Sequence, residues 1–360
     1  MKKELISKRY IFNKKIPFYY SKLQKEKIKE FEKKISLKNK EIEECYICKN
    51  KDFIQISEKD KYWFYYPVAI CKKCSLVQVN PYYNNEEVSL FYTNYFRQIY
   101  MWRKSTQKYI FNNNIERWKK IISFIEEKTD ISIYKKNILD IWCGNWWILM
   151  AFKNKENNCV WIDLGSTYFN EWLKNNLDLK QTSLNNFLHT NENKKFDIII
   201  FSHNLEHLIN PLEELNLIKS IINKNTIIFI SVPWIFYMHN DNYDFLNEYF
   251  QNAHKSHFSL ETLSNLNKIA GFELIYGDEE IKSLFRLKDA KQNIIFNDYK
   301  TTLSKIIKTE KMYNDNFWKI IFIKTVYFIL DKLWLRILFL NFLNKINLTK
   351  FLRKFLLNEK

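Results

Sequence analysis

Apolar residues recur at helical spacing from about 105 to 130, where Tyr109, Ile110, Ile115, Trp118, Ile121, Ile122 and Ile125 form one stripe and predict an amphipathic helix. After Lys135–Lys136 the rhythm changes to short, unbroken apolar runs. NILDI (137–141), NCVWIDL (158–164), the start of FDIIIFSHNLEHL (196–208) and NTIIFISVP (225–233) read as four buried strands, with a helical stretch over 147–154 between the first two. Runs of this kind with helical connectors predict an α/β fold, a parallel sheet with helices on both faces. Ligands of such sheets bind outside the carboxyl ends of the strands. Those ends fall at Asp140 to Trp146, Asp163 to Ser166, Ser202 to His207, and from Pro233 onward.

The two ends of the chain have a different pattern. Residues 1–44 hold no apolar period long enough for a domain and read as a basic helical extension. The stretch 317–343, FWKIIFIKTVYFILDKLWLRILFLNFL, is very apolar but is interrupted by Lys319, Lys324, Asp331, Lys332 and Arg336. No run in it reaches the roughly 18 uncharged residues that a spanning helix needs. A helix capping the core, a dimer contact, or a helix lying against a membrane surface are the expectations for this tail.

Composition is that of a soluble globular protein, with 46% hydrophobic and 27% charged residues in a chain of 360. The formal net charge of +17 raises the question of a nucleic-acid partner. Its distribution argues against one. Residues 1–44 hold 14 Lys and Arg against 7 Asp and Glu, and residues 304–360 hold 12 against 4, whereas 45–303 is close to neutral at 31 against 29. A basic groove through the core is therefore not expected.

Four of the 6 cysteines are grouped as C45-Y-I-C48 and C71-K-K-C74, with 22 residues between the pairs. Two such knuckles can each present two thiolates from a tight turn and together make a tetrahedral four-sulfur site for zinc. Two disulfides or unrelated buried thiols are the alternative. No signal peptide is visible and the N-terminus is Lys-rich without an apolar core, which points to a cytoplasmic, reducing setting. Cys143 and Cys159 sit in apolar runs and read as small buried residues.

Glycine is scarce, at 4 residues against 11 Trp, where average usage of about 7% would give roughly 25. The stretch D140-I-W-C-G-N-W146 resembles the first motif of class I S-adenosylmethionine-dependent methyltransferases, Asp-x-Gly-Cys-Gly-x-Gly, with Trp142 and Trp146 in two Gly positions. Asp163 matches the acidic residue of that family that accepts from the ribose hydroxyls. S202-H-N-L-E-H207 resembles the loop after its fourth strand, and A270-G-F-E its late Ala-Gly-Phe turn. C71-K-K-C-S-L-V-Q-V-N-P81 followed by F91-Y-T-N-Y is similar to the N-terminal zinc module of sugar C-methyltransferases and related polysaccharide-cluster methyltransferases. The resemblance covers about residues 45–285. It implies a Rossmann-like sheet with helices on both faces, a small N-terminal zinc ribbon, and a helical C-terminal extension. It also implies S-adenosylmethionine held by Asp140, Trp142, Cys143, Gly144, Asn145, Trp146, Asp163, Leu164, Ser202, His203 and Glu206, and Zn2+ held by Cys45, Cys48, Cys71 and Cys74.

An indole at 142 or 146 removes the freedom to take φ > 0 and fills cofactor volume. Trp63, Trp161 and Trp234 also stand where Gly is expected. UGA codons read as Trp in place of Gly would explain scarce Gly and abundant Trp together. A Trp-bearing pseudoenzyme that kept the fold and lost the cofactor is the rival.

Methyl transfer to a hydroxyl or carbon needs a base, and only six His are present. N252-A-H-K-S-H-F-S-L260 resembles the sugar C-methyltransferase segment His-Glu-His-x-x-Tyr-Phe-Ser, with Ala253 for the Glu and His257 for the Tyr. His254, His257 and His203 are the catalytic candidates. His207 reads as a loop brace, and His189 as a surface residue. Tyr237, His239 and Tyr243 could wall a sugar site. The expected organisation is a basic extension (1–44), a zinc module (45–82), a helical linker (83–130), a methyltransferase domain (131–290) and a basic apolar tail (291–360).

Overall fold

The computed structural model describes residues 1–13, 20–100, 107–142, 148–153, 155–164, 178–191, 194–236, 249–279, 282–288, 294, 296 and 298–315. Its first part runs β1 (Lys2–Lys3), α1 (Lys22–Lys34), β2 (Phe53–Lys59), β3 (Tyr65–Cys71), β4 (Val77–Val79), α2 (Asn85–Asn94), α3 (Phe96–Tyr100) and α4 (Gln107–Thr129). Next come β5 (Asn137–Ile141), α5 (Ile148–Lys153), β6 (Asn158–Asp163), β7 (Leu179–Gln181), α6 (Leu184–Thr190), β8 (Ile198–Ser202), α7 (Pro211–Leu217) and β9 (Ile227–Ser231). The described part ends with β10 (Ser256–His257), α8 (Leu260–Ile269), β11 (Phe272–Gly277), β12 (Lys282–Leu287) and α9 (Tyr299–Asp315).

A seven-stranded sheet has the order β11-β12-β9-β8-β5-β6-β7. Strands β9, β8, β5, β6 and β7 are parallel, and β12 runs antiparallel to both β9 and β11. Side chains alternate between the two faces. Leu139, Ile141, Ile199, Phe201, Ile228 and Ile230 share one core with Leu184 and Phe187 of α6, Leu215 of α7, and Leu263 and Leu266 of α8. Ile138, Ile198, Ile200 and Phe229 share another with Trp118, Ile121, Ile122 and Ile125 of α4 and Phe152 of α5. Helices therefore cover both faces, as the unbroken apolar runs predicted, and the sheet is mixed α/β of the Rossmann-like kind. The antiparallel edge was not foreseen. Its turn from α8 into β11 is the Ala270–Gly271–Phe272 segment, where Gly271 takes φ +84, a conformation in which a Cβ is strained.

The second sheet has the order β1-β2-β3-β4-β10. It differs from a unit confined to 45–82. Lys2 and Lys3 add an edge strand parallel to β2, and Ser256 and His257 add the other edge antiparallel to β4. One face buries Ile54, Tyr66, Val68 and Val77 against Ile28 and Phe31 of α1, Phe91 of α2, Phe250, and Ile306 of α9. Helix α4 lies in the segment expected as a linker, yet its apolar stripe builds the core of the large sheet. The tail 317–343 lies outside the described residues. Among those described, no helix is long and apolar enough to cross a membrane.

Candidate functional site

The two Cys-x-x-Cys segments fold into matching turns. Lys49 donates its amide to Cys45 O (2.8 Å) and Ser75 donates to Cys71 O (2.9 Å), and Lys49 and Ser75 take φ +59 and +62. Each turn faces its two thiols the same way. Sγ–Sγ separations are 3.5 Å for Cys45–Cys74 and 3.4 Å for Cys48–Cys71. A tetrahedron with Zn–S bonds of about 2.3 Å has edges of about 3.8 Å, so these four residues could hold one metal ion. Contact with Cys45 lowers the Cys71 thiol, and contact with Cys48 raises that of Cys45. No disulfide links the described cysteines, and Cys159 is buried in the core as expected.

The second constellation lies at the carboxyl ends of β5, β6 and β8. These strands are neighbours, with Asp140 in register with Trp161 and Ile200. Asp140 is fully buried, and neither of its carboxylate oxygens has a hydrogen-bond partner among the described residues. Burial, then the neighbouring Asp163, pushes its carboxyl well above the usual range. A buried carboxyl with open acceptor sites fits a hydrogen-bonding group supplied from outside the described residues. Asp163 closes β6, and Leu164 beside it is exposed. After β8, Ser202 and Glu206 are buried and His203 takes φ +53. Asn204 braces this loop by donating its side-chain amide to Ile141 O. Cys143, Gly144, Asn145 and Trp146 lie outside the described residues, as do Tyr237, His239 and Tyr243.

The described Trp residues at expected Gly positions fall into two groups. Trp63 and Trp142 take φ +65 and +58, a region that L-residues visit at a cost of roughly 1–2 kcal/mol. The Trp142 amide still donates to Ile162 O at 2.9 Å, and its half-buried indole packs against the core beside Glu214. Trp161 and Trp234 are different. They lack a positive φ and are 1% and 0% exposed, as core residues are. The Trp234 indole N–H has no hydrogen-bond partner among the described residues.

The imidazoles converge on the seam between the two sheets. His207 Nδ1 lies 2.8 Å from Tyr92 Oη and 3.0 Å from Ala253 O, and its Nε2 lies 3.6 Å from Glu206 Oε1. His203 Nδ1 lies 3.8 Å from the same carboxylate oxygen. The His254 ring stands edge-on to His207, with centroids 4.7 Å apart, and His257 is 6.1 Å beyond. Burial, then His207 and His257, drives the His254 pKa well down, and burial alone takes His257 to about 3. His257 is packed between Tyr249 and Phe250, each 5.0 Å away by ring centroid. His189 is exposed, as predicted.

Sequence reading missed what holds this turn. Tyr66 donates to the carbonyls of His254 and Asn252, and Tyr82 lies 3.4 Å from those of Asn252 and Ala253. Tyr100 Oη accepts from the Ala253 amide at 3.2 Å, and Asp60 accepts from Asn252 N at 2.9 Å. The N-terminal module thus fixes a loop of the large domain. The chain has 22 Tyr, so no single one stood out in the sequence.

Residues 107–276 match a protein family described as "Methyltransferase domain". No curated protein matches the chain at a significant level. Among solved structures, the chain is similar to a SAM-dependent methyltransferase from Archaeoglobus fulgidus, at 18% identity and a TM-score of 0.36 over 57% of this chain and 93% of that one. It is also similar to the 1,6-didemethyltoxoflavin-N1-methyltransferase of Burkholderia thailandensis, at 13% identity and a TM-score of 0.41 over 62% and 96% of the two chains. A S-adenosylmethionine-dependent methyltransferase from Clostridium acetobutylicum shows 13% identity and a TM-score of 0.37 over 56% and 98%. The family match runs from the start of α4 to Tyr276 in β11 and takes in every strand of the seven-stranded sheet except β12.

Proposed function

We propose that this chain is a S-adenosylmethionine-dependent methyltransferase acting on a sugar nucleotide or glycan precursor, with Zn2+ held structurally by Cys45, Cys48, Cys71 and Cys74. The observation that carries the reading is Asp140, a fully buried carboxyl with open acceptor sites at the strand ends, within the region that matches a methyltransferase domain. The cofactor supplies an electrophilic methyl group. Asp163 offers two acceptor oxygens to its ribose diol, while Asp140, Ser202 and the loop through Glu206 line the same strand ends. His203 is half-buried beside Glu206, and it suits proton removal from the acceptor better than the deeply buried His254 and His257. The sugar assignment is supported by the likeness of residues 252–260 to sugar C-methyltransferases, with O- or C-transfer both in scope.

We read Trp63 and Trp142 as glycines written through a UGA-Trp codon table, since both hold a backbone conformation that favours Gly. UGG at codons 63 and 142, or Trp in the peptides of the native protein, overturns that part. If Trp142 is native, it favours the second reading, a cofactor-dead scaffold. The deciding measurement is calorimetric titration of S-adenosylhomocysteine into the chain carrying Trp142→Gly and Trp146→Gly. Binding followed by methyl transfer to a panel of sugar nucleotides is the expected result. No binding by this variant or by the unchanged chain refutes the methyltransferase reading.

A further inference from the structure

Glu206, His207 and His254 each present one metal-ligating atom, and these atoms all lie within 4.8 Å of one another. Glu206 and His254 are buried, at 1% and 6% exposure. The geometry of His207 is the informative part. The Ala253 carbonyl 3.0 Å from Nδ1 can only accept, so that contact is a hydrogen bond when Nδ1 carries the ring proton. In the neutral ring Nε2 then bears a lone pair, 3.6 Å from the Glu206 oxygen. These two lone-pair atoms could bind one cation between them. Their separation is near the edge of about 3.4 Å expected of a tetrahedron with Zn–N and Zn–O bonds of about 2.0–2.2 Å. A ring N–H fixed by a backbone carbonyl is also the usual support of a metal-bound imidazole, and Tyr92 contacts the same nitrogen at 2.8 Å.

We propose that Glu206, His207 and His254 form a second metal site, distinct from the four cysteines, that takes a first-row divalent cation of the zinc class. Two imidazoles and one carboxylate select such a cation over magnesium or calcium, which prefer all-oxygen shells. Three protein ligands leave a coordination position open, and an acceptor hydroxyl bound there would become more acidic. The site stands whether or not the methyl acceptor is a sugar, because metal content is read without any methyl transfer.

The test is metal analysis of the full chain, equilibrated with zinc and passed over chelating resin, beside Glu206→Gln, His207→Gln and Cys71→Ser/Cys74→Ser variants. Two equivalents in the unchanged chain are expected, with one lost in each variant. Cobalt substitution identifies which site is lost. Thiolate-to-metal charge-transfer bands should persist in Glu206→Gln and vanish in the cysteine variant, which keeps only weak ligand-field bands. Far-UV circular dichroism checks that each variant is folded. Tyr92→Phe, which removes no ligand, should weaken the second equivalent by about 10–100-fold. A metal content in the unchanged chain that neither Glu206→Gln nor His207→Gln lowers overturns the proposal.

Discussion

Asp60 tests whether the N-terminal sheet and the histidine loop are one structural unit. Its carboxylate is fully buried and accepts from three backbone amides, Tyr62 and Phe64 through Oδ1 and Asn252 through Oδ2, each at 2.9 Å. Asp60→Ala leaves all three N–H groups buried and unpaired. At about 1–3 kcal/mol for each, the loss is at least about 3 kcal/mol. Asp60→Asn keeps the two bonds to Oδ1 and sets an amide nitrogen against Asn252 N–H, so it should cost about 1–3 kcal/mol. The two variants also separate by pH. Burial pushes the Asp60 carboxyl from 3.8 up to about 8, against the pull of the three amides. Between those values the folded chain holds a proton that the unfolded chain has released. The stability from this group is therefore complete below 3.8 and drains as pH rises toward 8. The slope is about 1.4 kcal/mol per pH unit, or about 3 kcal/mol from pH 5 to pH 7. Asn does not titrate, so Asp60→Asn should lose ground to the unchanged chain least at pH 7 and most at pH 5. Urea unfolding followed by circular dichroism at pH 5, 6 and 7 reads the difference. Parallel pH profiles for the two proteins, or a cost below about 1 kcal/mol for Asp60→Ala, would refute the reasoning.

Other expected outcomes concern the cysteines and the tryptophans. Cys74→Ser should lower the melting temperature and leave the chain one equivalent of zinc short of the unchanged protein, as read with a chromophoric chelator, because the knuckles close the ends of β2 and β3; an unchanged melt and an unchanged zinc content would count against the four-sulfur site. Trp142→Gly should change stability by no more than about 1 kcal/mol, since relief of roughly 1–2 kcal/mol of left-handed strain offsets the extra chain entropy of Gly. Trp161→Gly, at 1% exposure in the core, should cost about 3–5 kcal/mol. Equal urea midpoints for these two variants would contradict the division between strained and packed tryptophans.

Much of the large sheet was legible because its signal is local. NILDI matches β5 residue for residue, and NCVWIDL and NTIIFISVP each contain their observed strand, since strands buried on both faces are apolar at nearly every position. The knuckles were legible for a related reason: two Cys-x-x-Cys turns carry their own geometry wherever they are placed. Edge strands carry no such signal. Lys2–Lys3 is two lysines, and Ser256–His257 is polar, so neither pair could be read as a strand. The same holds for Asp60 and for Tyr66, Tyr82 and Tyr100, whose partners in the 252–254 turn lie more than 150 residues away along the chain.

The sequence by itself determined the layered α/β architecture, the four-cysteine cluster and the acidic residues at the strand ends, because periodicity and short spacing act within a few residues. Only the tertiary structure decided that the N-terminal module reaches across to pin the 252–254 turn. It also decided that His207 and His254 meet Glu206, and that Trp63 and Trp142 bear backbone strain while Trp161 and Trp234 fill the core. Those outcomes depend on which distant segments pack together and on the φ each residue is forced to take, and neither is written in the local pattern.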